Sequence, residues 1–209
     1  GDDEVTNSAT IDAESTAVAP SIGVAVDGKG LSAAISTATS EADAVGIDAG
    51  EGNEQIQNTG DITASAVSNA DAINVAISGK GVAATLNDVW DGGVEATASA
   101  KGIDAGEGDE AIVNTGKLET DATAVSASVG VSVVKEGIAA SVGTSTAEAE
   151  SVGIEAGNGT ETIVNIGDIT GNAVATAVGV SVSVTGKGIA VGADAVWDGG
   201  TTALATTKG

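Results

Sequence analysis

The sequence predicts an all-β chain, a parallel β-solenoid built from nested repeats. Three observations carry that expectation. The segment Gly46–Gly60 (GIDAGEGNEQIQNTG) returns as Gly102–Gly116 (GIDAGEGDEAIVNTG) and as Gly153–Gly167 (GIEAGNGTETIVNIG). Residues alternate with period two through most of the chain, and no run has the spacing of an amphipathic helix. Large side chains are nearly missing: 42% of the 209 residues are hydrophobic, but only 1% are aromatic. Ala, Val and Ile fill a thin core at crystal-like density but not a thick one.

The repeat has two periods. A partial copy at the start places Gly1, Val5, Asn7 and Ile11 in the roles of Gly52, Ile56, Asn58 and Ile62. With Gly1, Gly52, Gly108 and Gly159 equivalent, the steps are 51, 56 and 51 residues, and the units are 1–51, 52–107, 108–158 and 159–209. Two adjacent steps give a 107-residue superperiod, at which Trp90 falls on Trp197 and Gly79 on Gly186. A fixed period of this kind marks a stacked array.

Strands are read from alternating runs: Ile22–Val26, Ile62–Ala66, Val94–Ala100 and Val178–Val184. Each is expected to present an apolar inner row and a small, mostly polar outer row. Glycine turns follow at matching places, Asp27–Gly30, Ser78–Gly81 and Thr185–Gly188, with Lys135–Gly137 as the variant. Glycine supplies the positive φ of a sharp turn. Each 51-residue unit divides into three coils of about 17 residues, which predicts about 12 coils and a body ~58 Å long. An antiparallel β-meander with these turns as hairpins is the alternative. It would expose long edges, which a solenoid hides except at its two ends.

Charge narrows the function. There are 30 acids against 7 bases, a formal charge of −23, with no His and no Cys. Such a surface does not neutralise phosphates, so nucleic acid is excluded as a partner, and anionic membranes are disfavoured. The longest apolar stretch, Ala173–Val184, is broken by Thr, Gly and Ser, so no membrane span is expected. Without His, Cys, Tyr or Arg the usual bases, nucleophiles and oxyanion donors are missing, and no enzyme is expected.

Three sets of residues stand out. Asp104, Glu107, Asp109 and Glu110, with Asp48, Glu51 and Glu54 as their copy, are candidate calcium ligands or a solvated acidic corner. Trp90 and Asp91, with Trp197 and Asp198, sit in the five residues by which the longer unit exceeds the shorter. They read as loops that contact a neighbouring chain, cover a solenoid edge or stack on a glycan. Asn7, Asn58, Asn114 and Asn165 recur before the same turn and predict a side-chain ladder up the stack.

Ala105–Val113 is similar to the nonapeptide of RTX proteins, which form calcium-binding β-rolls. Ile112–Leu118 resembles the steps of autotransporter-type adhesin passengers, which form parallel β-helices. The nonapeptide occurs once per unit, never in tandem; Ala105 replaces its first Gly, and Glu110 its Asp. The resemblance implies a secreted or cell-surface adhesin, matrix or filament protein. No cofactor is required on this reading, with calcium the candidate ion. The repeat begins inside a unit and stops five residues short of two full 107-residue periods. Copies of the chain stacked end to end are therefore the expected partner.

Overall fold

The computed structural model describes residues 1–87, 93–193 and 200–209. Among them are thirteen strands and no helix, in three sheets. The first sheet stacks the four-residue strands β1 (Glu4–Asn7), β5 (Gln55–Asn58), β8 (Ala111–Asn114) and β11 (Thr162–Asn165). The second stacks β2 (Ile11–Asp27), β6 (Ile62–Leu86), β9 (Leu118–Val142) and β12 (Ile169–Ala193), with β3 (Gly30–Ile35) also pairing β6. The third stacks β4 (Ala38–Asp48), β7 (Val94–Asp104), β10 (Ser145–Glu155) and β13 (Thr201–Lys208).

All the ladders are parallel, and they run in register from unit to unit. Ile11 lies beside Ile62, Ile62 beside Leu118, and Leu118 beside Ile169. This is the parallel solenoid arrangement, and it excludes the antiparallel meander.

The 17-residue coil is corrected. Strand partners are one whole repeat apart, so each unit makes a single rung. Four rungs at ~4.8 Å stand about 19 Å high instead of ~58 Å. The physical reason lies in the Gly-Lys-Gly turns. They do not end a coil but fold the long strand back on itself within its rung. Backbone groups keep pairing with the rungs above and below, while the two arms meet through side chains. Asn74 Nδ2 donates to Asn87 Oδ1 at 2.6 Å, and Ser181 Oγ donates to the Ala193 carbonyl at 3.0 Å. At the bend Gly81 has φ 125°, and a Cβ there would lie 2.1 Å from the Gly30 carbonyl oxygen. Only glycine stacks so closely.

The core is correspondingly thin. Along β6 and β9, Ala64, Ala66, Ala70, Ala72, Ala122 and Ala124 face Ala96, Ala98, Ala100, Ala147 and Ala149 across the rung, all buried. Hydroxyls bridge the same gap, Ser126 to Ser145 at 2.6 Å and Thr120 to Ser151 at 2.7 Å. Among the described residues the buried Ile and Leu side chains gather at the corner where the three sheets meet: Ile47, Ile56, Ile62, Ile103, Ile112 and Leu118. There the walls diverge and leave room.

The expected inner rows hold for Ile62–Ala66 and Val94–Ala100, whose Ile, Val and Ala are buried. They are reversed for Ile22–Val26 and Val178–Val184. Ile22, Val24 and Val26 are 71%, 66% and 70% exposed, and Val178, Val180, Val182 and Val184 also face out. Gly23, Gly179, Ser181 and Ser183 lie on the inner side of those strands. Once the strand folds back, the inner positions between its arms are mostly Gly, Ala, Ser and Asn, with Val134 buried beside the bend.

Candidate functional site

The rung has two ends of different character. At the base, where the short strands close the corner, the outer faces carry acids: Asp12, Glu14, Glu119 and Asp121 on one side, Glu41, Asp43, Glu95, Glu148 and Glu150 on the other. At the far end the folded arms form a blade tipped by Lys29, Lys80, Lys135 and Lys187. Lys80 pairs with Glu136 at 2.9 Å.

The Asn residues form one continuous ladder at the base. Asn7 Nδ2 donates to Asn58 Oδ1 at 2.8 Å, Asn58 to Asn114 at 2.6 Å, and Asn114 to Asn165 at 2.7 Å. The second hydrogen of each amide goes to the carbonyl two residues on, at Ala9, Gly60, Gly116 and Gly167. Every bond between rungs runs the same way, so the ladder has a polarity. At its ends Asn7 Oδ1 accepts only from the Ala9 N–H of its own rung, and Asn165 Nδ2 donates only to the Gly167 carbonyl of its own rung.

The acidic corner does not act as one cluster. No group of three or more acids converges on a point among the described residues. Asp104 is held by Lys101 at 2.7 Å and by the Gly106 N–H. Lys101 also pairs with Glu155 at 2.5 Å. Burial works against its charge, yet the Asp104 and Glu155 partners hold it above the ordinary lysine range. Glu107 accepts from Asn158 Nδ2, Asp109 from the Thr160 N–H, and Asp48 from the Gly50 N–H. Glu51 and Glu107 meet only as backbone bridge partners. Of the two copies read as candidate calcium ligands, Asp48, Asp104, Glu107 and Asp109 thus accept separate local bonds instead of converging on one point.

Glu54 and Glu110 are the exception. They are 1% and 2% exposed, and all four carboxylate oxygens lack a hydrogen-bond partner. Their backbones stack: the Ala111 N–H donates to the Glu54 carbonyl, and the Thr162 N–H to that of Glu110. Burial, then the carboxylates of Glu161 and Glu54 with Asp109 and Glu107, pushes the Glu110 carboxyl above its ordinary value. Trp90, Asp91, Trp197 and Asp198 lie outside the described residues.

Sequence reasoning missed the outer surface of the blade. Three outward positions of the long strand are Val or Ile in all four rungs: Ile22, Val24, Val26; Ile73, Val75, Ile77; Val129, Val131, Val133; Val180, Val182, Val184. The return arm is apolar outside as well, with Leu31, Ile35, Ile138, Ile189 and Val191 exposed. The blade is thus apolar outside and polar or small inside. The signal was available: counting in twos from Ile169 without a break leaves Val178–Val184 on the outer side.

No protein-family model, curated protein or solved structure matches this chain.

Proposed function

We propose that the chain is a structural segment of a long β-solenoid fibre, adhesin stalk or surface matrix, secreted or at the cell surface, and extended rung upon rung. The polarity of the Asn ladder carries this reading. A further rung set on the β11–β12 side would accept from Asn165 Nδ2, as Asn165 itself accepts from Asn114. A rung set below β1 and β2 would donate to Asn7 Oδ1. The outermost strands bring unpaired backbone groups and half-covered core residues to the same edges, with Ile163 48% exposed where Ile112 is fully buried. Such edges template the next strand. A further rung from this chain or from another copy meets them in the same way, which makes the contact heterologous and open-ended.

The test is sedimentation of the 209-residue chain at rising concentration, beside an I163K variant. The parent is expected to elongate, while the variant, with a charge on the growing edge, stays short. A parent that remains a single stack at high concentration would overturn the proposal.

The Glu54–Glu110 column favours a second reading, a calcium-dependent adhesive module. Two buried carboxylates without partners offer hard oxygen ligands to a divalent cation. Melting with calcium and with a chelator separates the readings, since a bound ion raises stability by mass action. Equal melting temperatures in the two solutions would remove calcium.

A further inference from the structure

The acidic surface suggests a chain that repels its copies sideways. The structure places the acids otherwise. Most line the base, with Asp27 and Glu136 at the tip, while the outer field of the long sheet from Val18 to Val26 and its equivalents is almost free of charge. Within that field the one charged side chain is Asp71; Asn69 and Thr176 are its only other polar groups. Five outward positions at ~6.6 Å intervals and four rungs at ~4.8 Å cover roughly 600 Å². That reaches the upper end of what a lone soluble chain exposes. Paired with a copy of itself it buries about 1,200 Å², the lower limit of a stable interface.

We propose that this field docks on the same field of a second copy, strands antiparallel across the interface, about a two-fold axis parallel to the stack. Charge selects that orientation. With the axis over Ile22, Ile73, Val129 and Val180, the tip lysines lie as far beyond it as the first base acids lie before it. Lys29 is seven residues after Ile22, and Glu14 eight before; Lys135 is six after Val129, and Asp121 eight before. Each copy's tip, with four Lys against Asp27 and Glu136, therefore comes over the other's base, whose acids on this sheet are Asp12, Glu14, Glu119 and Asp121, and the two acidic bases sit at opposite ends. The reverse orientation lays base on base and tip on tip. A field made mostly of Val and Ile side chains also interdigitates with its own copy, as facing sheets do at about 10 Å separation. The two stacks then share one direction, so the pairing is compatible with rung-by-rung extension but does not depend on it.

The experiment uses the absence of cysteine. V129C lies on the axis and should join to its own copy through a short bismaleimide in high yield. L204C, on the outer face of β13, should not. End-to-end contacts bring equivalent Val129 sites no closer than about 19 Å, so they do not mimic the result. In sedimentation, V129K/V180K, which sets like charges against each other on the axis, should weaken the dimer by more than about tenfold with an unchanged β spectrum, because both side chains point outward. D71V should tighten it, since it removes the one acid from the field. Absence of V129C cross-linking, or a D71V chain that pairs no better than the parent, overturns the proposal. So does flotation of the parent as a monomer with phosphatidylcholine vesicles, which would assign the field to lipid.

Discussion

Asn58 donates its side-chain amide to Asn114 at 2.6 Å, and both side chains are completely buried between the short strands β5 and β8. The bond spans 56 residues of sequence and one rung of structure. It fixes register because a one-residue slip would replace a paired amide with an unsatisfied one.

Truncating the middle of the ladder should therefore cost more than truncating its end. N114A leaves Asn58, Asn165 and the Gly116 carbonyl short of partners, and about 1–3 kcal/mol is expected. N7A sits at an exposed edge and should cost less than about 1 kcal/mol. Denaturant melts of the two variants check this; equal losses would count against the ladder.

The inside and outside of the rung are distinguished by three substitutions. I112D places an unpaired charge at a position with no exposed surface and should destabilise by about 3–5 kcal/mol. A122L overfills the Ala layer and should cost about 1–3 kcal/mol or more. V131T, outward on the blade, should change stability by under about 0.5 kcal/mol. Thermal unfolding of all three, with V131T melting as the parent does, is the expected pattern.

Acid should stabilise this protein at one site. The Glu110 carboxyl is raised above its ordinary value of 4.5, so the folded chain binds that proton more tightly than the unfolded chain does. Stability from this group is fully present below the unfolded value and is lost as pH rises through the folded value. E110Q keeps the neutral form at every pH. Its melting temperature should therefore gain on the parent between about pH 4 and about pH 8. A difference that is constant across that range would contradict the assignment.

The sequence made the stacking legible and left the rung itself obscure. Matching Gly, Ile and Asn positions across units predict the register of Val5, Ile56, Ile112 and Ile163, and that column stacks. Coil length was misjudged because a Gly-Lys-Gly turn between alternating runs looks the same whether it closes a coil or folds a strand back. Only the inter-strand partners, one full repeat apart, distinguish the two. The same fold-back inverted Val178–Val184: hydrophobicity points Val inward, but the inner positions Ser181 and Ser183 donate to the carbonyls of the opposed arm at Ala193 and Val191, and the Val side chains take the outer face. Of the acidic corner, composition showed the charge but not its use, because Asp104, Glu107 and Asp109 are each satisfied locally.

The central claim, that each repeat is one rung, is tested most directly by mass per length. On stacks of the V129K/V180K variant, where side-by-side pairing is removed, scanning transmission electron microscopy should read about 10 kDa per nm, since 19.7 kDa then occupies four rungs of ~4.8 Å. A value near 3.4 kDa per nm, the figure for three coils per repeat at the same spacing, would contradict it.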